Sequence, residues 1–314
     1  MADNSLADSV VDDFAYLLVD SSASLTSKKF AKDIDAVVTR AKSSGVQKII
    51  SRATSVHSSR EALRLCRLYP GLSAHESRLW TPDSEREILE VIRSPECVAF
   101  GETGVDFSRD FSPKQTQLQV FEKQLQMATH LALSDNIVKP VLVREVNAHS
   151  ECATLLRAYS SAQIVMQLRG SRDHVTEYLQ RGAYIAVSGL VLKDKTEDGV
   201  RSALRDKTLP LNRLREYCTK TRVALETQLE PSLSLPLAVL YSDSPYAYPN
   251  VKAAEQTLKR RSLGFLNRYC TFQRNEPCSL AATLESVSAL MNSGAEDVAL
   301  NTTFNALKVF SLKC

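Results

Sequence analysis

Gly101-Glu102-Thr103-Gly104-Val105-Asp106 follows directly on the apolar run Cys97-Val98-Ala99-Phe100. A short apolar run reads as a buried strand, and the two glycines beyond it permit a tight turn. The pattern therefore sets the Glu102 carboxylate at the C-terminal end of a strand, where barrel enzymes keep their chemistry.

Working outward, strand-like segments recur at near-regular intervals: Tyr16–Asp20, Gln47–Ser51, Gly71–His75, Cys97–Glu102, Pro140–Arg144, Gln163–Gln167, Ala183–Val187 and Arg222–Glu226. Helical patterns fill the gaps. Phe30, Ile34, Val37, Val38 and Ala41 form one apolar stripe, and Gly45 stands where a helix would end. Ser112-Pro113 opens another, with Leu118, Phe121, Leu125 and Ala128 on its inner face. Eight strands, most of them followed by an amphipathic helix, predict a single-domain α/β (β/α)8 TIM-type barrel. A doubly wound open sheet is the alternative, because periodicity does not report closure. Glu230–Gln273 breaks the rhythm with four prolines and six aromatic residues. It reads as a long irregular insertion ahead of a last helical stretch, Ala281–Leu312.

Composition narrows the class further. The 314 residues are enough for one large core, and 39 basic against 36 acidic residues leave a net charge of +3, too small to select nucleic acid or membrane by itself. The seven cysteines, at 66, 97, 152, 218, 270, 278 and 314, show neither a CxxC pair nor zinc-finger spacing and read as reduced thiols. No stretch reaches the roughly 18 apolar residues of a membrane span, and the acidic start lacks a basic leader. A cytoplasmic or nuclear protein with no membrane partner is expected.

Several segments carry a family resemblance. Leu25–Asp33, GETGVDFSRDFSPKQTQLQVFEKQL (101–125), Pro140-Val141-Leu142-Val143, Arg274-Asn275-Glu276-Pro277 and Asn301–Phe310 stand in the order and spacing of the TatD family of metal-dependent DNases, and the match covers nearly the whole chain. The resemblance implies an amidohydrolase-like barrel, one or two divalent cations (Mg, Mn or Zn), and phosphodiester hydrolysis on DNA. Such a reaction needs its charge neutralised and a water made nucleophilic, which strand-end carboxylates and imidazoles achieve by holding metal.

Residue by residue, the implied metal set is thin. Asp20 matches the first strand-end acid, but the histidines that many members place after it are Ser22 and Ser24. In Gly71–His75 the first histidine of a GxHPH pattern falls on Ser73 and the second on His75. Glu102 is retained. The histidine after PVLV is Arg144, and that of the next strand's HCFxG pattern falls on Met166. The aspartate of ETDxP is Gln228 if Leu225–Gln228 is the matching stretch, or Asp243 if Tyr241–Tyr246, after the apolar run Leu235–Leu240, is the true one. Spacing after the seventh strand favours Val223–Gln228.

The resulting metal candidates are Glu102, Asp20, His75 and Asp243; Glu102, Asp243 and Arg144 are the candidate catalytic-site residues. A guanidinium stays cationic and cannot ligate metal, so Arg144 is expected to pair with Glu102 in place of a cation. Lys259, Arg260, Arg261, Arg274 and Tyr246, with other aromatics interleaved, are the candidate nucleic-acid surface; a solvated basic loop is the alternative. His149 is a secondary site candidate, whereas His57, His130 and His174 read as surface or capping residues. Asp106 and Arg109 read equally as turn formers or substrate contacts.

The sequence thus points to a TatD-like homologue with impaired catalysis that binds DNA or another phosphodiester. A working metal-dependent deoxyribonuclease using a reduced site is the second reading. A structural or partner-binding protein acting through the insertion is the third.

Overall fold

In the computed structural model, residues 16–53, 55–69, 72–76, 84–108, 112–209, 238–252 and 255–313 are described. Eight strands form one parallel sheet in strictly sequential order: β1 Leu18–Ala23, β2 Val46–Arg52, β3 Leu72–Glu76, β4 Cys97–Asp106, β5 Val141–Val146, β6 Ile164–Arg169, β7 Tyr184–Val187 and β8 Ala238–Leu240. Among the described residues, seven helices lie along the chain between the strands: α1 Ile34–Ser43, α2 Val56–Leu68, α3 Ser84–Arg93, α4 Lys114–Ser134, α5 His149–Ala158, α6 Arg172–Gln180 and α7 Val200–Arg205. Three more follow β8: α8 Arg260–Tyr269, α9 Leu280–Leu290 and α10 Ala295–Val309.

The two ends of the sheet meet. The Ser21 hydroxyl donates to the Leu240 carbonyl at 2.7 Å, the Asp243 amide to the Ser22 carbonyl at 3.0 Å, and the Ser242 amide to the Asp20 carboxylate at 2.9 Å. Side chains of period two complete the barrel. Val19, Ile50, Ala99, Leu142, Val165, Ala186 and Val239 pack together as an inner cluster, with Tyr184 and Tyr241 among them. Their strand neighbours Leu18, Ile49, Phe100, Val143, Met166, Ile185 and Leu240 instead join the larger cluster beneath the helices. Helix α10 closes the N-terminal end. Its Ala306 and Val309, with the following Phe310, enter the inner cluster, while Asn305 donates to the Ala238 carbonyl at 2.8 Å.

The strand that pairs with β7 is Ala238–Leu240, in register with Ile185–Val187, within the second of the two stretches the sequence offered; the favoured Val223–Gln228 lies outside the described residues. Burial is the physical reason the shorter run serves: Val239 fills the lumen while Ala238 and Leu240 face the outer layer, so each face of this strand is apolar. The described part of the segment 230–273, expected as an irregular insertion, holds β8, a 3₁₀ turn and α8.

Candidate functional site at the barrel mouth

Glu102 reaches the mouth because of how β4 is built. Gly101 and Gly104 have φ of 140° and 118°, and an added Cβ would stand 2.5 Å from the Leu142 carbonyl oxygen and 2.1 Å from that of Arg144. Only glycine fits such a close approach of β4 to β5. Between them the register slips, Gly101 pairing with Leu142 and Thr103 with Val143, so that Glu102 is the extra, bulged residue. Bulges re-aim side chains, and this one leaves the carboxylate 8% exposed.

Its principal partner is an arginine that sequence reasoning passed over. Arg52, the last residue of β2, sends Nη1 to Glu102 Oε2 at 2.8 Å, Nη2 to within 2.7 Å of Asp243 Oδ1, and Nε to the Ser24 hydroxyl at 3.0 Å. All three charged side chains are nearly dry. Burial alone would weaken the guanidinium's hold on its proton, but the charges of Glu102 and Asp243 outweigh it, and Arg52 is held protonated more firmly than in water. Burial also raises the Asp243 carboxyl, with Arg52 pulling the other way. A signal for Arg52 was present: Ile49-Ile50-Ser51-Arg52 ends in a cation two residues past the inward Ile50, hence on the inward face.

Arg144 was expected to be the partner of Glu102. It is only a distant one: Nη1 stands 3.8 Å from Oε2, and the side chain is 31% exposed. Position explains the difference. Arg52 ends inside the mouth, whereas Arg144 leans into a cavity of ≈ 650 Å³ on the β5 to β8 side. Arg169, Lys193, Gln167, Ser188 and Tyr241 share its wall.

The remaining carboxylate, Asp20, is fully buried. Its Oδ1 accepts from the amides of Ser22 at 3.2 Å and Ser242 at 2.9 Å, while Oδ2 has no hydrogen-bond partner among the described residues. Burial pushes its carboxyl up to about 7, hydrogen bonding from Ser242 and Ser22 resists that, and the nearby charge of Asp243 adds to it. His75 lies in β3, its backbone in register with Arg52 on one side and Ala99 on the other.

The other sequence candidates fall elsewhere. Met166 faces the outer core, and Gln167 is the β6 residue that lines the cavity. Its amide is buried, with neither polar atom bonded among the described residues. A one-residue slip moves a strand side chain to the opposite face, which is why alignment to a motif missed it. Arg274 binds both Asp33 oxygens at 2.8 Å and approaches Glu276 at 3.2 Å, and Asn275 donates to the Ser242 carbonyl at 3.1 Å, so this element braces the Asp243 loop. Tyr246 is 54% exposed with Lys29 over its ring, and Phe272, 71% exposed, stacks at a tilt on Tyr248 beneath Lys193.

Lys259 and Arg261 are not brought to this surface. Lys259 bonds Glu296 at 2.9 Å and lies over the Tyr16 ring, and Arg261 donates to the Ser43 carbonyl, contacts at the N-terminal end of the barrel. Arg260 opens α8 beside them. Arg109 lies outside the described residues.

Comparison with known proteins bears on this arrangement. Residues 19–215 match the model of the TatD related DNase family. The 3'-5' ssDNA/RNA exonuclease TatD of Salmonella typhimurium is 29% identical over 304 residues, covering 94% of this chain and 99% of that protein. Its counterpart in Musicola paradisiaca is 30% identical, covering 94% and 98%. Among solved structures, a TatD homologue from Escherichia coli superposes with a TM-score of 0.74 at 20% identity over 95% of this chain and 99% of the other. A TatD family hydrolase from Entamoeba histolytica gives 0.74 at 19% identity, over 96% and 100%.

Proposed function

Since the chain belongs to the TatD family of DNases, we propose that its barrel mouth binds a phosphodiester, most suitably a single strand of nucleic acid, through fixed guanidinium groups in place of metal, and that its hydrolytic activity is impaired. The observation that carries this reading is Arg52, seated 2.8 Å from Glu102 and 2.7 Å from Asp243. A divalent cation does not fit that donor set. It would have to share both carboxylates with a buried positive charge that cannot be neutralised, and the β5 and β6 positions that face the cavity carry Arg144 and Gln167, neither of them a metal ligand of the family's kind.

Charge balance supports the same reading. Burial raises the Asp20 carboxyl to about 7, so below that pH Glu102 and Asp243 are two carboxylates beside two guanidiniums, Arg52 and, 3.8 Å from Glu102, Arg144. The cavity beside them sets three cations, Arg144, Arg169 and Lys193, against two carboxylates, Asp194 and Asp198, with the unsatisfied Gln167 amide among them, a lining with a net positive charge for a phosphate. Exposed Tyr246 and Phe272, each with a lysine over its ring, suit base stacking. The Salmonella typhimurium and Musicola paradisiaca relatives are 3'-5' ssDNA/RNA exonucleases, which makes such a strand the ligand to try first.

The convergence of Asp20, Glu102 and Asp243 favours the second reading, a working deoxyribonuclease on a reduced site. One experiment separates the two. A 5'-labelled single-stranded DNA is titrated with protein in EDTA and again with Mn²⁺, reading both anisotropy and strand length. The expected result is binding that survives EDTA, weakened about tenfold by Arg144→Ala, the equivalent of about 1.4 kcal/mol, with no shortening of the strand. Metal-stimulated shortening abolished by Glu102→Gln would establish the enzyme instead.

A further inference from the structure

A second cluster of ionisable groups lies behind the mouth, on the outer side of β5. Leu142 faces the lumen and Arg144 the cavity, so Glu145, next along the strand, turns toward the helices. There it meets His149, the first residue of α5, and His174 of α6; one donor atom from each lies within 4.8 Å of the others. We propose that Glu145, His149 and His174 form a binding site for one borderline divalent ion of the zinc class, independent of the barrel mouth.

Burial and unsatisfied atoms carry the argument. Glu145 is 1% exposed; its Oε1 accepts the Ala148 amide at 3.0 Å, but Oε2 has no hydrogen-bond partner among the described residues, nor have Nδ1 of His149 and Nδ1 of His174. A buried carboxylate oxygen left so is expensive unless a cation meets it. His149 Nδ1 stands 4.0 Å from Oε2. An ion bonded to both at about 2.0–2.2 Å in a tetrahedral arrangement needs them about 3.4 Å apart, so the two draw together by about half an ångström on binding.

The tautomer is set for it. His149 Nε2 lies 2.7 Å from Glu177 Oε2, and Glu177 is itself held by Arg181 at 2.7 Å. A hydrogen on Nε2 pointing at Glu177 leaves the Nδ1 lone pair facing Glu145, the outer carboxylate arrangement that orients metal-binding histidines. The His174 ring lies parallel to His149 at 3.6 Å, which keeps the two in-plane lone pairs in separate planes, so one ring has to turn for both to meet the same ion. Gly170 makes room for the His174 ring, since a Cβ there would stand 2.7 Å from His174 Nδ1. Two nitrogens and one oxygen select zinc or cobalt over magnesium, which takes oxygen ligands. Bound there, the ion would tie β5, α5 and α6 together and stiffen the wall that carries Arg169 and Gly170 into the cavity.

Calorimetric titration of Zn²⁺ into the EDTA-stripped full chain tests this, with Co²⁺ absorption as a second readout. One ion per chain is expected, together with intense visible bands of a low-coordinate cobalt site. His174→Ala and Glu145→Gln should each abolish both signals, and Glu177→Gln should weaken binding about 10- to 100-fold, whereas Glu102→Gln should leave them unchanged. Absence of stoichiometric binding, or binding untouched by His174→Ala, overturns the proposal. So does binding lost in Glu102→Gln, which would place the ion at the mouth.

Discussion

Between Glu102 and Asp243 the protein has a positive charge that no chelator can remove. Because Arg52 is 5% exposed and both acids are nearly as dry, removing it strands two buried carboxylates together. Arg52→Met is expected to cost about 3–5 kcal/mol, the range for breaking a buried pair. Arg144→Met should cost about 1 kcal/mol or less, as its side chain is 31% exposed and its nearest approach to Glu102 is 3.8 Å. Urea melts of these variants and of each combined with Glu102→Gln measure the two couplings. Equal costs for the two arginines would refute the hierarchy. The contrast also marks how far the site was legible. Glu102, Asp20 and Asp243 could be read as strand-end acids because apolar runs precede them. That Arg52 rather than Arg144 meets Glu102 depends on which long side chain stays inside the mouth, and spacing along a sequence does not encode that.

At the scale of elements, the bulged β4 is the device that aims Glu102, and its glycines are its working parts. Gly104→Ala is expected to destabilise by more than about 1 kcal/mol, since φ of 118° is unfavourable for alanine and the new methyl would meet the Arg144 carbonyl oxygen. Gly264 makes the opposite case. It lies inside α8 with open space where a Cβ would go, so Gly264→Ala should stabilise by about 0.5–1 kcal/mol. Thermal melts of the pair check both signs at once; a harmless Gly104→Ala would mean that β4 can relax away from β5. The strands themselves were legible wherever an apolar run stood alone, as at Val141–Val146 and Tyr184–Val187. They were less so where two runs competed for one place. The choice between Val223–Gln228 and Ala238–Leu240 turned on pairing with β7, a contact between segments far apart in the chain. Met166 and Gln167 show the finer limit, because a motif placed one residue off points at the wrong face of β6.

For the whole molecule the consequence of a carboxylate buried at the barrel mouth is a dependence of stability on pH. Asp20 has its carboxyl raised from 3.8 to about 7, mainly by burial. A carboxyl raised on folding favours the protonated state, so its contribution is fully present below about pH 4 and is lost as pH rises through about 7. In that window the native state binds up to one more proton than the unfolded chain, and stability falls by up to about 1.4 kcal/mol per pH unit from this residue alone. Asp33, Glu61, Glu96, Glu177 and Glu296 are shifted the other way by their partners, and they lose stability as pH falls below the ordinary carboxylate range. The observed curve is therefore the sum of opposing trends, and a variant is needed to isolate Asp20. Asp20→Asn keeps an acceptor for the amides of Ser22 and Ser242 but cannot ionise. Its stability relative to the natural chain should rise from pH 5 to pH 8, by an amount on the order of 4 kcal/mol at most. Urea melts of both proteins at pH 5, 6, 7 and 8 give that difference directly. Two parallel curves would show that Asp20 is ionised throughout, and the match of two carboxylates to two guanidiniums would fail with it.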